Sequence, residues 1–167
     1  RLNGKVFARV SPVILSNDHP LANVEDVFNA IVVKGDAIGD AMFYGQGAGK
    51  LPTASAVVAD IIDIARHADS RRSLVWKRRE ENNVLDILDS ETRYFVRVSS
   101  RNRDEAAKLI ERVFGEVTYV NRLNAPEEEV AFTTARRTER ELKNCVSQLE
   151  GTTSIKGVIN IIRIEEE

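Results

Sequence analysis

The order of apolar and polar positions after residue 92 predicts a strand–helix–strand unit. Apolar residues at every second position from Tyr94 to Val98 are typical of a strand. Between Ala106 and Phe114 the apolar spacing changes to i, i+3, i+4, i+7 and i+8, which predicts an amphipathic helix. A second strand is expected over Glu116–Leu123.

The same order of elements recurs after the turn that ends at Pro126. A strand is expected over Glu129–Ala135, and the Thr138 and Glu141 pair is typical of a capping box that opens a helix. β-branched residues dominate Ile155–Ile164, which predicts a closing strand. The resulting βαββαβ order predicts a ferredoxin-like layer, with both helices on one face of a four-stranded antiparallel sheet.

The first part of the chain has a different pattern. Phe28–Lys34 and Asp40–Gly45 alternate as two strands of a hairpin, and a helix with an apolar stripe is expected from Pro52. Lys5–Leu15 is interpreted as a strand that Pro12 interrupts, and therefore as an edge or a bend. The fold class predicted for the whole chain is α+β.

Composition and charge narrow the function classes. Twenty-four Lys and Arg residues against 26 Asp and Glu give a net charge of −2, unlike the broad basic surface of a nucleic-acid binder. The third strand, EEEVAFTTA, also lacks the aromatic platform of an RNA-recognition module. No apolar run approaches the roughly 18–20 residues that span a bilayer, so we expect neither a nucleic-acid nor a membrane partner.

The single cysteine and the scattered carboxylates predict no metal site. Cys145 falls on an apolar helix stripe and is expected to be a small core residue. A chain with one cysteine forms no internal disulfide, which fits a reducing, cytoplasmic setting.

A cluster of three glycines precedes the first helix. Gly45, Gly47 and Gly49 have the spacing G-x-G-x-G, which differs from the dinucleotide fingerprint, and Lys50-Leu51 lacks the Ser or Thr of a P-loop. A glycine turn at a helix start still offers free backbone N–H groups and the positive end of the helix dipole. Two interpretations stay open: a tight strand-to-helix turn, or a contact with a cofactor held by another part of the protein.

The segments SPVILSNDHPLANVEDVFNAIVVKGD and MFYGQGAGKLPTASAVVADI resemble the C-terminal part of the catalytic domain of homoserine dehydrogenases. The segment YFVRVSSRNRDEAAKLIERVFGEVTYVNRL and the element order around it resemble an ACT domain. The resemblance implies three parts: a partial catalytic α/β segment at 1–68, a linker at 69–91 and a ferredoxin-like ACT domain at 92–167.

The resemblance also implies an activity. Homoserine dehydrogenases interconvert L-aspartate 4-semialdehyde and L-homoserine with NADP or NAD, on the route to threonine, methionine and isoleucine. Gly49 is implied to lie by the nicotinamide end of the cofactor, with Gly47 and Thr53 as further cofactor contacts. The catalytic lysine, the Gly-rich nucleotide-binding start and the acidic substrate residues belong upstream of Arg1. We therefore expect no catalytic residue in this chain and no activity of the chain alone.

The ACT resemblance implies feedback regulation with threonine as an effector, and homo-oligomers formed through the ACT and catalytic domains. The turn at Ser100–Asp104 departs from the Asp-x-Pro-Gly type of amino-acid-binding ACT domains. The alternative is a non-catalytic module that senses amino acids or dimerises, with Ile155–Ile164 as a pairing edge.

Both histidines are expected to have structural roles. The resemblance places His19, in the HPLA segment, near the mouth of the active site, but a His in this turn more commonly caps it. His67 is expected to cap the C-terminal end of the first helix.

Overall fold

The computed structural model describes residues 5–68 and 83–165, and these fall into two compact units. One unit combines Arg1–Leu15 with Glu81–Glu167, and the other is Ser16–Glu80. The division differs from the predicted one because residues 5–15 belong with the C-terminal part. Residues 69–82 of the predicted linker lie outside the described residues. In the described part of that linker, Val84 forms a parallel bridge with Val6.

The described residues form eight strands and three α-helices, with short 3-10 helices at Pro20–Asn23 and Ile87–Asp89. The strands are β1 (Val13–Ile14), β2 (Phe28–Gly35), β3 (Gly39–Gln46), β4 (Glu91–Ser100), β5 (Val117–Tyr119), β6 (Glu129–Thr134), β7 (Arg137–Thr138) and β8 (Ile155–Ile164). The helices are α1 (Lys50–Arg66), α2 (Arg103–Phe114) and α3 (Glu139–Glu150). No helix of the described segments has both the length and the apolar character needed to cross a bilayer.

The C-terminal unit is a mixed α/β layer whose sheet has the strand order β1-β8-β4-β6-β5. The β8–β4, β4–β6 and β6–β5 pairs are antiparallel, and β7 pairs with the start of β4. β1 joins β8 in parallel at the outer edge, directly after Pro12, where the sequence predicted an edge or a bend. The expected extension of β5 to Leu123 is wrong, because the strand ends at Tyr119 and a turn forms at Leu123 and Asn124, where Asn124 adopts a positive φ of 56°.

Side-chain caps begin both helices of this unit, and the sequence predicted the one at Thr138 and Glu141. The Asn102 side chain accepts hydrogen bonds from the backbone N–H groups of Asp104 and Glu105, at 3.0 and 3.3 Å. At the start of α3, Thr138 and Glu141 form the predicted reciprocal capping box. Each cap satisfies backbone donors that the helix itself leaves free.

The core of the C-terminal unit lies between the sheet and helices α2 and α3. Phe114 of α2 meets Phe132 of β6 edge to face, with ring centroids 5.1 Å apart. Cys145 packs at the rim of this core as expected. The most deeply buried apolar side chains are Tyr94, Val96, Val98, Ala106, Ile110, Phe132, Leu142 and Leu149. This unit therefore has an apolar core of its own.

A polar network crosses the end of this core. The Arg163 guanidinium donates to the Tyr94 hydroxyl at 3.0 Å and to Glu139 Oε2 at 2.7 Å. Its second terminal nitrogen donates to Ser90 Oγ at 3.0 Å. Burial raises the pKa of Tyr94 to about 12, so the hydroxyl keeps its proton and donates to Glu139 at 3.0 Å. The network gives the buried Arg163 cation a carboxylate partner, which burial of a charge requires.

The N-terminal unit has no comparable core. β2 and β3 pair in register from Phe28↔Gln46 to Gly35↔Gly39, which confirms the predicted hairpin. Phe28 and Tyr44 stack across the hairpin with centroids 4.9 Å apart. None of the described residues 16–68 is buried, although the hairpin and α1 are rich in apolar side chains.

A second buried charge lies between β4 and β6 of the C-terminal unit. The Glu129 side chain is only 2% exposed, and its two carboxylate oxygens bind Arg97 and Arg122, each at 2.5 Å. The hydrogen bond from Arg97 is the main reason why the pKa of Glu129 lies below its ordinary range. The carboxylate thus ties the two strands to the segment after β5.

The free energy of unfolding of the C-terminal unit is expected to fall as the pH is lowered. Glu129→Gln is expected to remove part of this pH dependence. Because the folded-state pKa lies below the ordinary value of 4.5, the stabilisation is complete above that pH and is lost as the pH falls through the lowered pKa. Urea denaturation followed by tyrosine near-ultraviolet circular dichroism, between about pH 6 and pH 3, measures this dependence.

Glu128→Gln is the matched control, because Glu128 pairs with Lys156 while 58% exposed, where solvent weakens the interaction. An unchanged pH dependence in Glu129→Gln would contradict this assignment.

Candidate functional site

The glycine corner, defined as residues 45–49, joins β3 to helix α1. The N–H groups of Gly47 and Ala48 both donate to the carbonyl oxygen of Val27, at 3.0 and 3.3 Å. Gly49 is the N-cap residue of α1 and has φ 118° and ψ 156°, with no side-chain cap on the helix. The corner is therefore fixed by backbone hydrogen bonds and ends at an uncapped helix start.

Two glycines of the corner are required by its geometry. The positive φ of Gly49 is a conformation that other residues rarely adopt. A Cβ added at Gly47 would lie 1.8 Å from Nδ2 of Asn29, so Asn29 would have to move. Asn29 was not singled out from the sequence. The signal that would have found it is its place opposite Gly45 in the β2–β3 register.

The first turn of α1 presents an open, small surface beside Gly49. The Thr53 N–H donates to the Gly49 carbonyl at 3.2 Å, which brings two of the three predicted cofactor residues into direct contact. The N–H groups of Lys50 and Leu51 precede the first intrahelical bond, and Pro52 has no N–H to satisfy. Thr53 is followed by Ala54, Ser55 and Ala56, so the side chains that come after Pro52 in this part of α1 are small.

This arrangement fits an electron-rich or anionic ligand group at the end of α1. Free N–H groups and the positive end of the helix dipole attract such a group. An uncovered glycine backbone lets a flat ring approach closely. Gly47 and Gly49 lie in this corner and Thr53 lies in the first turn of α1 next to it, while their contact with a cofactor stays a prediction.

Both histidines cap local structure, as predicted. His19 Nδ1 accepts a hydrogen bond from the Leu21 N–H at 3.1 Å, at the start of the 3-10 helix Pro20–Asn23. This bond places the ring proton of neutral His19 on Nε2. His67 is the C-cap residue of α1, and its Nδ1 lies 2.9 Å from Oδ1 of Asp63. In the described parts of the chain, no three His, Cys, Asp or Glu side chains converge as a metal site.

The turn Ser100–Asp104 is where amino-acid-binding ACT domains have their Asp-x-Pro-Gly type turn. In this chain, several backbone N–H groups of the turn are hydrogen-bonded to other groups of the chain. The Ser100 N–H donates to the Glu128 carbonyl at 2.8 Å, and the Arg101 N–H donates to the Ser154 carbonyl at 3.0 Å. Asn102 occupies the first N–H groups of α2. The N–H groups of Ser100, Arg101 and Asp104 at this turn therefore already have partners within the chain.

Comparison with known proteins gives a consistent result over both units. Residues 1–62 match the family model of homoserine dehydrogenase. Homoserine dehydrogenase of Neisseria gonorrhoeae is 30% identical over 180 residues, which covers 99% of this chain and 41% of that protein. The enzyme of Lactococcus lactis is 54% identical over 61 residues, which is 36% of this chain and 14% of that protein.

Solved structures extend the similarity to three dimensions. A homoserine dehydrogenase from Thiobacillus denitrificans aligns with a TM-score of 0.75 and 26% identity, over 99% of this chain and 40% of that one. The Staphylococcus aureus homoserine dehydrogenase aligns with a TM-score of 0.59 and 25% identity, over 92% of this chain and 36% of that one. The chain spans about 40% of the length of the curated relatives that match most of it.

The matched proteins are dehydrogenases, which are a class of oxidoreductase. Residues 1–62 of this chain fit the model of the homoserine dehydrogenase family, and the similarity to enzymes of that name extends over both units.

Gly49→Ala is expected to destabilise the first turn of α1, because alanine is strained at φ +118°. The expected cost is about 1–3 kcal/mol. Amide hydrogen exchange at Thr53 and Ala54, in the chain joined to the amino-terminal region of a homoserine dehydrogenase, measures it as a loss of local protection.

Gly45→Ala is the matched control, since an added Cβ there meets nothing within 4 Å and no positive φ is required. Equal protection in the two variants would show that the corner does not need the Gly49 conformation.

Proposed function

We propose that this chain forms the C-terminal part of a homoserine dehydrogenase, which interconverts L-aspartate 4-semialdehyde and L-homoserine. The reaction serves threonine, methionine and isoleucine biosynthesis, in the cytoplasm. The observation that carries the proposal is the open glycine corner at the start of α1, within the segment that matches the family model. The similarity of both units to homoserine dehydrogenases supports it.

The exposure of the N-terminal unit supports its place inside a larger catalytic domain. Leu51 is 82% exposed, Ile64 69%, and Ile31 and Phe43 each 65%. Apolar residues also occur on more than one side of α1, which is typical of a helix surrounded by protein. The hairpin and α1 would pack against the part of the catalytic domain that holds the nucleotide.

The cofactor of this proposal is NADP or NAD, and the glycine corner is its contact in this chain. When bound, the nicotinamide exchanges a hydride with the substrate carbonyl carbon. Gly49 would let the ring approach the backbone, and Gly47 would keep the turn narrow against Asn29. The Thr53 hydroxyl, which is exposed beside this turn, would donate to a polar group of the cofactor. The helix dipole of α1 would stabilise electron density at the same place.

No residue of this chain is assigned a catalytic role. His19 holds its own turn through Nδ1, and the carboxylates Asp60 and Asp63 lie on the exposed surface of α1. Proton transfer and substrate binding would come from groups outside this chain. The contribution of the chain would be to orient the cofactor and to exclude water beside it, so the chain alone would be inactive.

We propose a regulatory role for residues 92–167, as an ACT domain with a ferredoxin-like fold. The strand order β8-β4-β6-β5, with α2 and α3 on one face, supports this assignment. Threonine is the proposed effector. Homo-oligomers would form through the catalytic and ACT domains, and β8 offers exposed Ile159 and Ile161 for such pairing.

The activity proposal is tested with an enzyme in which this chain is joined to the amino-terminal region of a homoserine dehydrogenase. We expect NADPH oxidation with aspartate semialdehyde in the joined enzyme and none with the chain alone. Gly49→Ala is expected to raise the KM for NADPH about tenfold, because an extra methyl group and a strained turn displace the nicotinamide.

Gly45→Ala in the joined enzyme is the control and is expected to leave the KM for NADPH within about twofold. Turnover by the chain alone, or an unchanged KM in Gly49→Ala, would refute the proposed role of the corner.

The regulatory proposal predicts that the chain binds threonine. Isothermal titration calorimetry is expected to show saturable heat at millimolar threonine. An absence of heat up to about 10 mM would favour the alternative of a purely dimerising module.

A further inference from the structure

One face of the β2–β3 hairpin carries an amide among apolar side chains. Because the side chains of a strand alternate between its two faces, Asn29 shares a face with Ile31 and Val33 of β2. The register places Gly45 and Phe43 of β3 on the same face, opposite Asn29 and Ile31. Ile31 and Phe43 are each 65% exposed, and Val33 is 45% exposed. Within the described hairpin, Asn29 is therefore the only polar side chain on this face.

The Asn29 side chain is directed along the sheet to the glycine corner. A Cβ added at Gly47 would collide with the Nδ2 and Cγ atoms of Asn29, whereas a Cβ at Gly45, directly opposite, would meet nothing within 4 Å. The amide thus occupies the space that Gly47 leaves free by having no side chain. The Val27 carbonyl, two positions before Asn29, holds the Gly47 N–H at 3.0 Å. The start of β2 therefore fixes both the corner and the amide that lies on it.

The Asn29 amide has no hydrogen bond to any part of the chain that the structure describes. In the chain alone this side chain is exposed, so water can meet its oxygen and its two N–H groups. In the proposed enzyme, the apolar face around Asn29 is covered by the part of the catalytic domain that holds the nucleotide. A buried amide without partners is costly, so the covering layer has to bring Asn29 both a donor and an acceptor.

We propose that Asn29 binds the carboxamide group of the nicotinamide. This inference rests on the proposed contact between the glycine corner and the cofactor. Asn29 Oδ1 accepts a hydrogen bond from the carboxamide N–H, and Asn29 Nδ2 donates to the carboxamide oxygen. Asn29 thereby fixes the rotation of the ring against Gly47 and Gly49.

The surroundings of Asn29 favour this neutral group over the phosphates of the nucleotide. Among the described residues, this face of the hairpin carries no cation that would compensate a phosphate charge. Ile31 and Phe43 offer apolar surface beside the amide, against which a flat ring can pack. A flat ring with an amide substituent satisfies both the apolar and the polar part of the site.

Calorimetry of the joined enzyme tests this contact without depending on turnover. The probes are the oxidised cofactor that the joined enzyme binds more tightly, NADP⁺ or NAD⁺, and its 3-acetylpyridine analogue, in which a methyl ketone replaces the carboxamide. The analogue keeps the oxygen but lacks the N–H group that Asn29 Oδ1 accepts. We expect Asn29→Ala to weaken binding of the natural cofactor about tenfold and binding of the analogue by no more than about threefold.

Two further variants and a third probe separate this contact from a purely structural role. Ile31→Ala is the matched control on the same face and is expected to weaken both cofactors by the same factor, because it removes no hydrogen bond. Gly47→Ala displaces the amide and is expected to reproduce the selective loss. The ADP-ribose part of the cofactor, which lacks the nicotinamide, is expected to bind to Asn29→Ala and to the parent enzyme within about twofold.

The outcomes distinguish this inference from the proposed function. Equal weakening of the natural cofactor and the analogue in Asn29→Ala, no weakening of either, or loss of ADP-ribose binding would overturn the assignment of Asn29. If Gly49→Ala still weakens cofactor binding in that case, the proposed role of the corner stands. A joined enzyme that binds neither NADP⁺ nor NAD⁺ would overturn both.

Discussion

The burial of apolar surface on the N-terminal unit is the constraint on which this account depends. Val57, Ile61 and Ile62 of α1 are each 44–59% exposed. In the hairpin, Ile31 and Phe43 are each 65% exposed. Burying each such side chain contributes about 1.5–3 kcal/mol. A hairpin and a helix that leave this surface in water gain little from folding, so they need another protein layer. The proposed role of the glycine corner follows from that requirement, because a layer that covers α1 would also bring a nucleotide to the first turn of the helix.

The C-terminal unit buries its apolar side chains in a core of its own. Its two helices cover one face of the sheet, and Phe114, Phe132 and Leu142 fill the space between them. Charged residues within it are paired, as Glu129 is with Arg97 and Arg122. This self-sufficiency fits a domain that folds around a core of its own.

Local signals in the sequence predicted most elements, because their causes are local. The capping box at Thr138 and Glu141 marks the start of α3, and the period-two alternation around Val96 marks β4. The glycine corner was found for the same reason, since Gly49 adopts a backbone conformation that its own residue type permits. The hairpin loop likewise needs the positive φ of Gly39.

Features that depend on distant residues could not be predicted in this way. The parallel pairing of β1 with β8 joins segments about 150 positions apart, and Val13 and Ile14 alone do not indicate which strand they accompany. The bonds of Arg163 to Ser90 and Glu139 join β8 to residues far earlier in the chain. A cavity beside α3 is a product of these contacts, so its walls could not be recognised before the fold was known.

Hydrogen exchange along the whole chain is the most direct test of the central claim that the N-terminal unit requires an external layer. The account predicts slow exchange in β4, β6 and α2, and fast exchange in α1, for the chain alone. It also predicts that α1 becomes protected when the chain is joined to the nucleotide-binding region of a homoserine dehydrogenase. Strong protection of α1 in the chain alone would contradict the account, because it would show that the helix is already buried without that region.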